Sequence, residues 1–282
     1  MARCPVCFRH CEIKEGALGF CGARTCVEGK VMAANYGRIT GLALDPIEKK
    51  PLARFFPGSH ILSVGSYGRN LRCPFCQNHE ISWGTEAAQF AHSARYMAPE
   101  ELVELALELK EKGNIGIAFT YNEPLIGYEY VRDTAKLAKK KALKTVLVSN
   151  GTAETVILAE LAPYIDAMNI DLKAFTDRFY RELIGGNRQQ VTEFIREAVK
   201  TAHVELTTLI IPGENDTEEE MRDLSRFVGE LTNPDREPVP LHVTRFFPRF
   251  HMTDRDATEV ETVYRLAEVA REHVKYVYVG NC

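Results

Sequence analysis

Eight cysteines are spread unevenly along the chain, at positions 4, 7, 11, 21, 26, 73, 76 and 282. In a reducing compartment thiols stay free, and thiolate is the natural ligand of zinc and of iron–sulfur clusters. Clusters of cysteine therefore point to metal chemistry before disulfides. Cys4-x2-Cys7-x3-Cys11 followed by Cys21 has the spacing of a four-thiolate zinc site, with Cys26 or His10 available in place of one ligand. An auxiliary iron–sulfur cluster is the alternative for the same thiols, and a set of free buried thiols is the bland one. A short lobe without a large core needs a staple, which favours a metal. Cys73-x2-Cys76 is ambiguous on its own and suits zinc, redox or structural roles.

Seven short apolar runs supply candidate strands to position these groups, at His60–Gly65, Ile115–Thr120, Lys144–Ser149, Ala167–Leu172, Val204–Ile211, Pro240–Arg245 and Lys275–Val279. Several are apolar almost throughout, as in a sheet covered on both faces. Amphipathic helices fall between them. One starts at Pro99 and Glu100, presents Leu102, Leu105, Ala106 and Leu109 on one face, and stops at Gly113. Thr217 with Glu220, and Thr258 with Glu261, have capping-box spacing ahead of two later helices. Repeated strand–helix units imply a parallel sheet with right-handed crossovers, and their number suits a full or partial (β/α) barrel better than a doubly wound sheet. Residues 1–58 lack helical periods, so the expected organisation is a cysteine-rich metal-binding extension over 1–58 and a barrel over 59–282.

A parallel barrel carries its chemistry at the C-terminal ends of its strands. Those positions hold Tyr121-Asn122-Glu123-Pro124, Ser149-Asn150-Gly151-Thr152, Asp171 and Lys173, Pro212-Gly213-Glu214-Asn215-Asp216, and, in or after the sixth strand, His242, Thr244 and Arg245. Each group alone reads equally well as a turn, a cap or a structural pair. Together on one rim they suit a small zwitterionic, hydroxyl-bearing ligand, with carboxylates for an ammonium group, amides and hydroxyls for a ribose, and a cation for a carboxylate.

The first strand runs into Ser66-Tyr-Gly-Arg-Asn-Leu-Arg-Cys-Pro-Phe-Cys-Gln-Asn78, and here the chain resembles the radical S-adenosylmethionine (SAM) superfamily. Within it, the chain is similar to the pyruvate-formate-lyase-activating-enzyme-like group, and to the branch called the AmmeMemoRadiSam system radical SAM enzyme. Asp45-Pro-Ile-Glu-Lys-Lys-Pro-Leu52, Phe119-Thr-Tyr-Asn-Glu-Pro124, Val148-Ser-Asn-Gly151, Asn169-Ile-Asp-Leu-Lys173, Arg245-Phe-Phe-Pro248 and Tyr276-Val-Tyr-Val-Gly-Asn281 carry the resemblance along nearly the whole chain. It implies a partial barrel whose first loop holds a four-iron four-sulfur cluster through C-x3-C-x2-C. SAM then chelates the open iron and is cleaved to a 5′-deoxyadenosyl radical that abstracts hydrogen from a protein or small-molecule substrate. It further implies that Asn122, Glu123, Ser149, Asn150, Asp171, Lys173 and His242 meet the cofactor, and that an electron donor such as flavodoxin or ferredoxin is a partner.

One position departs from that pattern: the first cysteine of the motif falls on residue 69, which is Arg69. Arginine stays protonated and offers donors only, so it cannot ligate iron. Three readings follow. Arg69 impairs an otherwise ordinary enzyme, or Cys282 beyond the last strand supplies the missing thiolate, or the chain is a silent binding or scaffold protein on the same fold. A metal hydrolase on a barrel would need His and Asp clusters at strand ends, and such residues are scattered here. The 282 residues carry 35 basic and 39 acidic side chains, a net charge of −4, which disfavours a general nucleic-acid binder. No apolar run reaches the length of a membrane span and no leader pattern opens the chain, so the expected location is the cytoplasm.

Overall fold

The computed structural model describes residues 1–84 and 87–282. Its centre is an eight-stranded sheet made of β1 (Gly41–Pro46), β2 (His60–Gly65), β3 (Asn114–Thr120), β4 (Lys144–Ser149), β5 (Ala167–Asp171), β6 (His203–Ile210), β7 (Leu241–Arg245) and β8 (Val277–Gly280). The strands lie side by side in chain order. β2 to β8 are all parallel, while β1 runs antiparallel to β2 in a register that sets Gly41 opposite Gly65 and Pro46 opposite His60. β1 and β8 are the two edges and do not pair, so among the described residues the sheet is an open, partial barrel.

The seven apolar runs all become strands, because a strand with helices outside and a packed interior must be apolar on both faces. The sheet also begins earlier than residue 59, since β1 belongs to it and Ile47, Leu52 and Phe55 pack with Ile61, Ala118, Val146 and Ala167 in a separate cluster. That cluster fills the floor of the barrel, at the N-terminal ends of the strands.

Helices α1 (Pro99–Glu108), α2 (Tyr128–Lys140), α3 (Thr155–Leu161), α4 (Arg188–Ala198), α5 (Glu218–Gly229) and α6 (Val260–Arg271) cross between successive strands. α1 starts at Pro99 as expected, and the Glu101 carboxylate accepts the Ala98 N–H at 2.7 Å. Its buried face is Leu102, Val103 and Ala106; Leu105 and Leu109 are only partly covered. At α5 the Thr217 hydroxyl accepts the Glu220 N–H, but the Glu220 carboxylate turns to the Phe175 N–H instead of closing a capping box. The box expected at Thr258 and Glu261 does not form. The Thr258 hydroxyl donates to the Ile210 carbonyl at 2.6 Å, and α6 starts after Glu259.

The first 40 residues form small antiparallel pairs, Ala2–Arg3 with Glu12–Ile13 and Arg24–Val27 with Lys30–Ala33. The second pair turns at Glu28 and Gly29, both at positive φ, and the Glu15 carboxylate accepts both of their N–H groups.

Candidate functional site at the barrel mouth

Four loops meet at the C-terminal ends of β2 to β5. Glu123, 1% exposed, lies after β3, and its carboxylate accepts the Ser149 hydroxyl and the Asn150 N–H, both at 2.8 Å. The loop after β4 is thereby tied to the loop after β3. Asn150 donates its amide to Asn70 at 2.9 Å, and Asn70 donates in turn to the Thr152 hydroxyl at 2.8 Å, which ties in the loop after β2. Asn122 receives the Ser66 N–H and donates to carbonyls of the same loop. After β5, Lys173 reaches Asp171 at 2.8 Å.

Burial pushes the Glu123 carboxyl above its ordinary range, with Arg69 and the Asn150 and Ser149 donors opposing the shift. Burial likewise raises the Cys73 thiol against the pull of the Lys173 and Arg69 cations. Cys73 and Cys76 are 1% and 6% exposed, folded into a tight turn by the Cys76 N–H on the Cys73 carbonyl. The segment after β7 covers them: His251 donates its N–H to Pro74, and Phe250 stacks on His79 with ring centres 4.3 Å apart.

Arg69 stands among these groups. Its Nη2 donates to the Asn122 carbonyl at 3.0 Å, while its buried Nε has no hydrogen-bond partner. Burial opposes its charge, but Cys76, Cys73, Glu123 and Asp171 outweigh that and raise its pKa. The position three spacers before Cys73 thus faces the mouth, and it presents a cation there.

The other expected site residues lie elsewhere. His242 is the second residue of β7, low in the barrel, and bonds through Nε2 to the buried Glu205 at 2.6 Å, away from the mouth. Glu205 also meets His203 and accepts the Ala53 and Arg54 N–H groups. Cys282 is exposed beyond the far edge strand, its thiol toward the Gly280 carbonyl. Cys4, Cys7, Cys11 and Cys21 line one small cavity of the N-terminal lobe, whereas Cys26 is turned to Glu15 and His10 to Glu154. Asn70 was not among the expected site residues. Its partners are 80 and 82 residues away, and only the pairing of strands brings them together.

Asp45, Lys50 and Tyr121 form a second cluster under the mouth. Lys50 and the Tyr121 hydroxyl both donate to Asp45 Oδ2, at 2.8 and 2.9 Å. Burial alone would raise the Asp45 carboxyl, but Lys50 and Tyr121 hold it at about 2.

A family model described as the Radical SAM superfamily matches residues 65–227, more than half of the chain and the loops after β2, β3, β4 and β5. The chain belongs to the radical SAM superfamily. An uncharacterized protein of Methanocaldococcus jannaschii, MJ0808, is 39% identical over 99% of this chain and 81% of its own length. Pyruvate formate-lyase 1-activating enzyme of Escherichia coli is 25% identical over 61% of this chain and 70% of its own. The crystal structure of Streptococcus suis SuiB bound to S-adenosylmethionine shares the fold, with a TM-score of 0.58 and 13% identity over 77% of this chain and 48% of that one. The chain is a radical SAM protein of the activating-enzyme-like group.

Superfamily membership implies a four-iron four-sulfur cluster and SAM, and the residues of the mouth answer the two differently. Carboxylate, hydroxyl, amide and ammonium groups are gathered on the rim of this radical SAM barrel, a donor and acceptor set that fits an amino-acid nucleoside. The cluster does not fit the thiolates present. Its loop offers only Cys73 and Cys76, the third position is a donor-only guanidinium, and among the described residues no three His, Cys, Asp or Glu side chains are preset to hold a metal ion. No helix among the described residues is long and apolar enough to cross a membrane.

Proposed function

We propose that the barrel mouth is an S-adenosylmethionine site of the activating-enzyme type, built for hydrogen abstraction from a protein partner or a small-molecule substrate, and that Arg69 leaves this chain short of the ligands that chemistry requires. The observation that carries the reading is the setting of Arg69. Its guanidinium is bonded to the Asn122 carbonyl at 3.0 Å with a buried Nε left unpartnered, at the position three spacers before Cys73 where the superfamily pattern calls for a thiolate, and the nearby Cys76, Cys73, Glu123 and Asp171 favour its charge.

In this reading Glu123 holds the loops after β3 and β4 in register and presents the Ser149 and Asn150 region to the ribose. Lys173 and Asp171 form a charged pair for the amino-acid end. Arg69, bonded to the Asn122 carbonyl, keeps the loop closed but replaces an anion with a cation. In a variant that restores the third thiolate, the electron for reductive cleavage would come from a small carrier such as flavodoxin or ferredoxin.

Anaerobic reconstitution of Arg69→Cys with iron and sulfide tests this directly. The variant should take up about four irons with broad visible absorbance and, with a reductant, form 5′-deoxyadenosine from SAM. The unaltered chain should do neither to a comparable extent. If Arg69→Cys loads no cluster, the proposal fails, and a silent binding or scaffold role on the radical SAM fold becomes the better reading.

A further inference from the structure

The barrel mouth does not use the four thiols of the N-terminal lobe. We propose that Cys4, Cys7, Cys11 and Cys21 form a mononuclear tetrathiolate zinc site that fastens the lobe to the loops of the barrel mouth. The four come from separate turns, yet all line one small cavity with Arg9, Arg24 and Asn70. Local backbone bonds draw the turns inward: the Cys4 N–H donates to the Cys11 carbonyl and the His10 N–H to the Cys7 carbonyl, with His10 at positive φ.

A second observation points to an anionic sulfur centre. Arg24 is 3% exposed, lines the same cavity, and its buried Nε has no hydrogen-bond partner although its Nη1 is held by Glu129. A zinc ion with four thiolates carries a net charge of −2, and an N–H directed at ligand sulfur is the outer-sphere contact such sites use. On binding, the thiol protons leave to solvent.

The cavity measures about 10 Å³, the room of roughly one water molecule. Among the described residues no three ligating side chains are preset about one point, so the thiols must turn inward to close on the ion. Cys26, the fifth early thiol, is fully buried and bonded toward Glu15, outside this set.

The position of the lobe gives the site its role. The Cys21 carbonyl accepts the Arg69 N–H, Arg9 donates to the Asn70 and Gly185 carbonyls, Arg72 donates to the Phe20 carbonyl, and the Glu154 N–H donates to the Val6 carbonyl. A fixed Cys4–Cys21 knot therefore holds the loop after β2 and the loop after β4 from outside the barrel.

Metal analysis of the full-length chain, after gel filtration with a chelator, should find about one zinc per chain. Cys7→Ser and Cys21→Ser should each lower that content at least about tenfold, while Cys26→Ser and Cys282→Ser keep it. Because a ligand variant can fail to fold, the unaltered chain is also exchanged with Co²⁺. Tetrahedral thiolate coordination then gives visible d–d bands and thiolate-to-metal charge transfer, and a mercurial titration should release the metal as four thiols react. Zinc below about a tenth of an ion per chain with no cobalt spectrum overturns the proposal. Zinc retained in both ligand variants, or iron with acid-labile sulfide in place of zinc, does so equally. None of these readouts depends on the chemistry of the barrel mouth, so this site and the proposed function stand or fall separately.

Discussion

Arg69 and Asn70 are neighbours in the chain with opposite parts in the site. Arg69 places a cation among Cys73, Cys76 and Glu123, whereas Asn70, 1% exposed, joins two loops through Asn150 and Thr152. Replacing Asn70 with Ala leaves the Asn150 amide and the Thr152 hydroxyl short of a partner in a buried place. The expected cost is about 1–3 kcal/mol, read as a lower urea midpoint with an unchanged slope. A loss below about 0.5 kcal/mol would show that water or another group replaces the amide and that the loops are not joined through it. At this scale the sequence is legible where residue type limits chemistry, as with an arginine that cannot ligate iron. It is much less legible where depth in the fold decides. His242 carries the same imidazole whether it sits at the top or the bottom of β7, and its bond to the buried Glu205 puts it low in the barrel.

Strands β2 to β8 were readable because each carries the apolar residues that helices on one face and a packed interior on the other require, even where β6 and β7 also hold polar residues such as Glu205 and His242. β1 was not, since Gly41-Leu-Ala-Leu-Asp-Pro46 begins with glycine, ends in proline, and gains its place only by pairing antiparallel with β2 at the sheet edge. The thiol spacing in the lobe was legible as a group, yet nothing in the sequence showed that its backbone grips the mouth. One strand position makes a sharp test of the barrel's tightness. A methyl group on Gly116 of β3 would sit 1.8 Å from the Lys144 carbonyl oxygen of β4, against backbone that cannot step aside. Gly116→Ala should destabilise by about 3 kcal/mol or more, whereas Gly41→Ala, which meets nothing within 4 Å, should stay within about 0.5 kcal/mol. Equal denaturation midpoints for the two variants would mean that β3 and β4 are not packed as closely as described.

An open barrel needs its floor held from both sides, and residues 47–55 do this as a strap between the half-buried carboxylate of Asp45 and the fully buried one of Glu205. Asp45 takes Lys50 and Tyr121 near the β1 edge, while Glu205 of β6 takes the Ala53 and Arg54 N–H groups together with His203 and His242. Burial works against both charges, but these partners outweigh it and hold each carboxyl at about 2. In the unfolded chain both carboxyls titrate near the ordinary value of about 4, so as pH falls the unfolded state binds protons first. Their stabilisation is complete above pH ~5 and drains away as pH drops toward 2, each carboxyl contributing on the order of 2–3 kcal/mol. Below pH ~4 the strap should loosen, seen as faster hydrogen exchange at residues 47–58 and a falling urea midpoint. Asp45→Asn and Glu205→Gln should each lower stability at pH 7 and flatten its slope between pH 5 and 3, because the titrating group is gone. A midpoint in the unaltered chain that stays constant from pH 6 to 3, or a double variant that keeps the original slope, would place the acid sensitivity of the barrel in other groups.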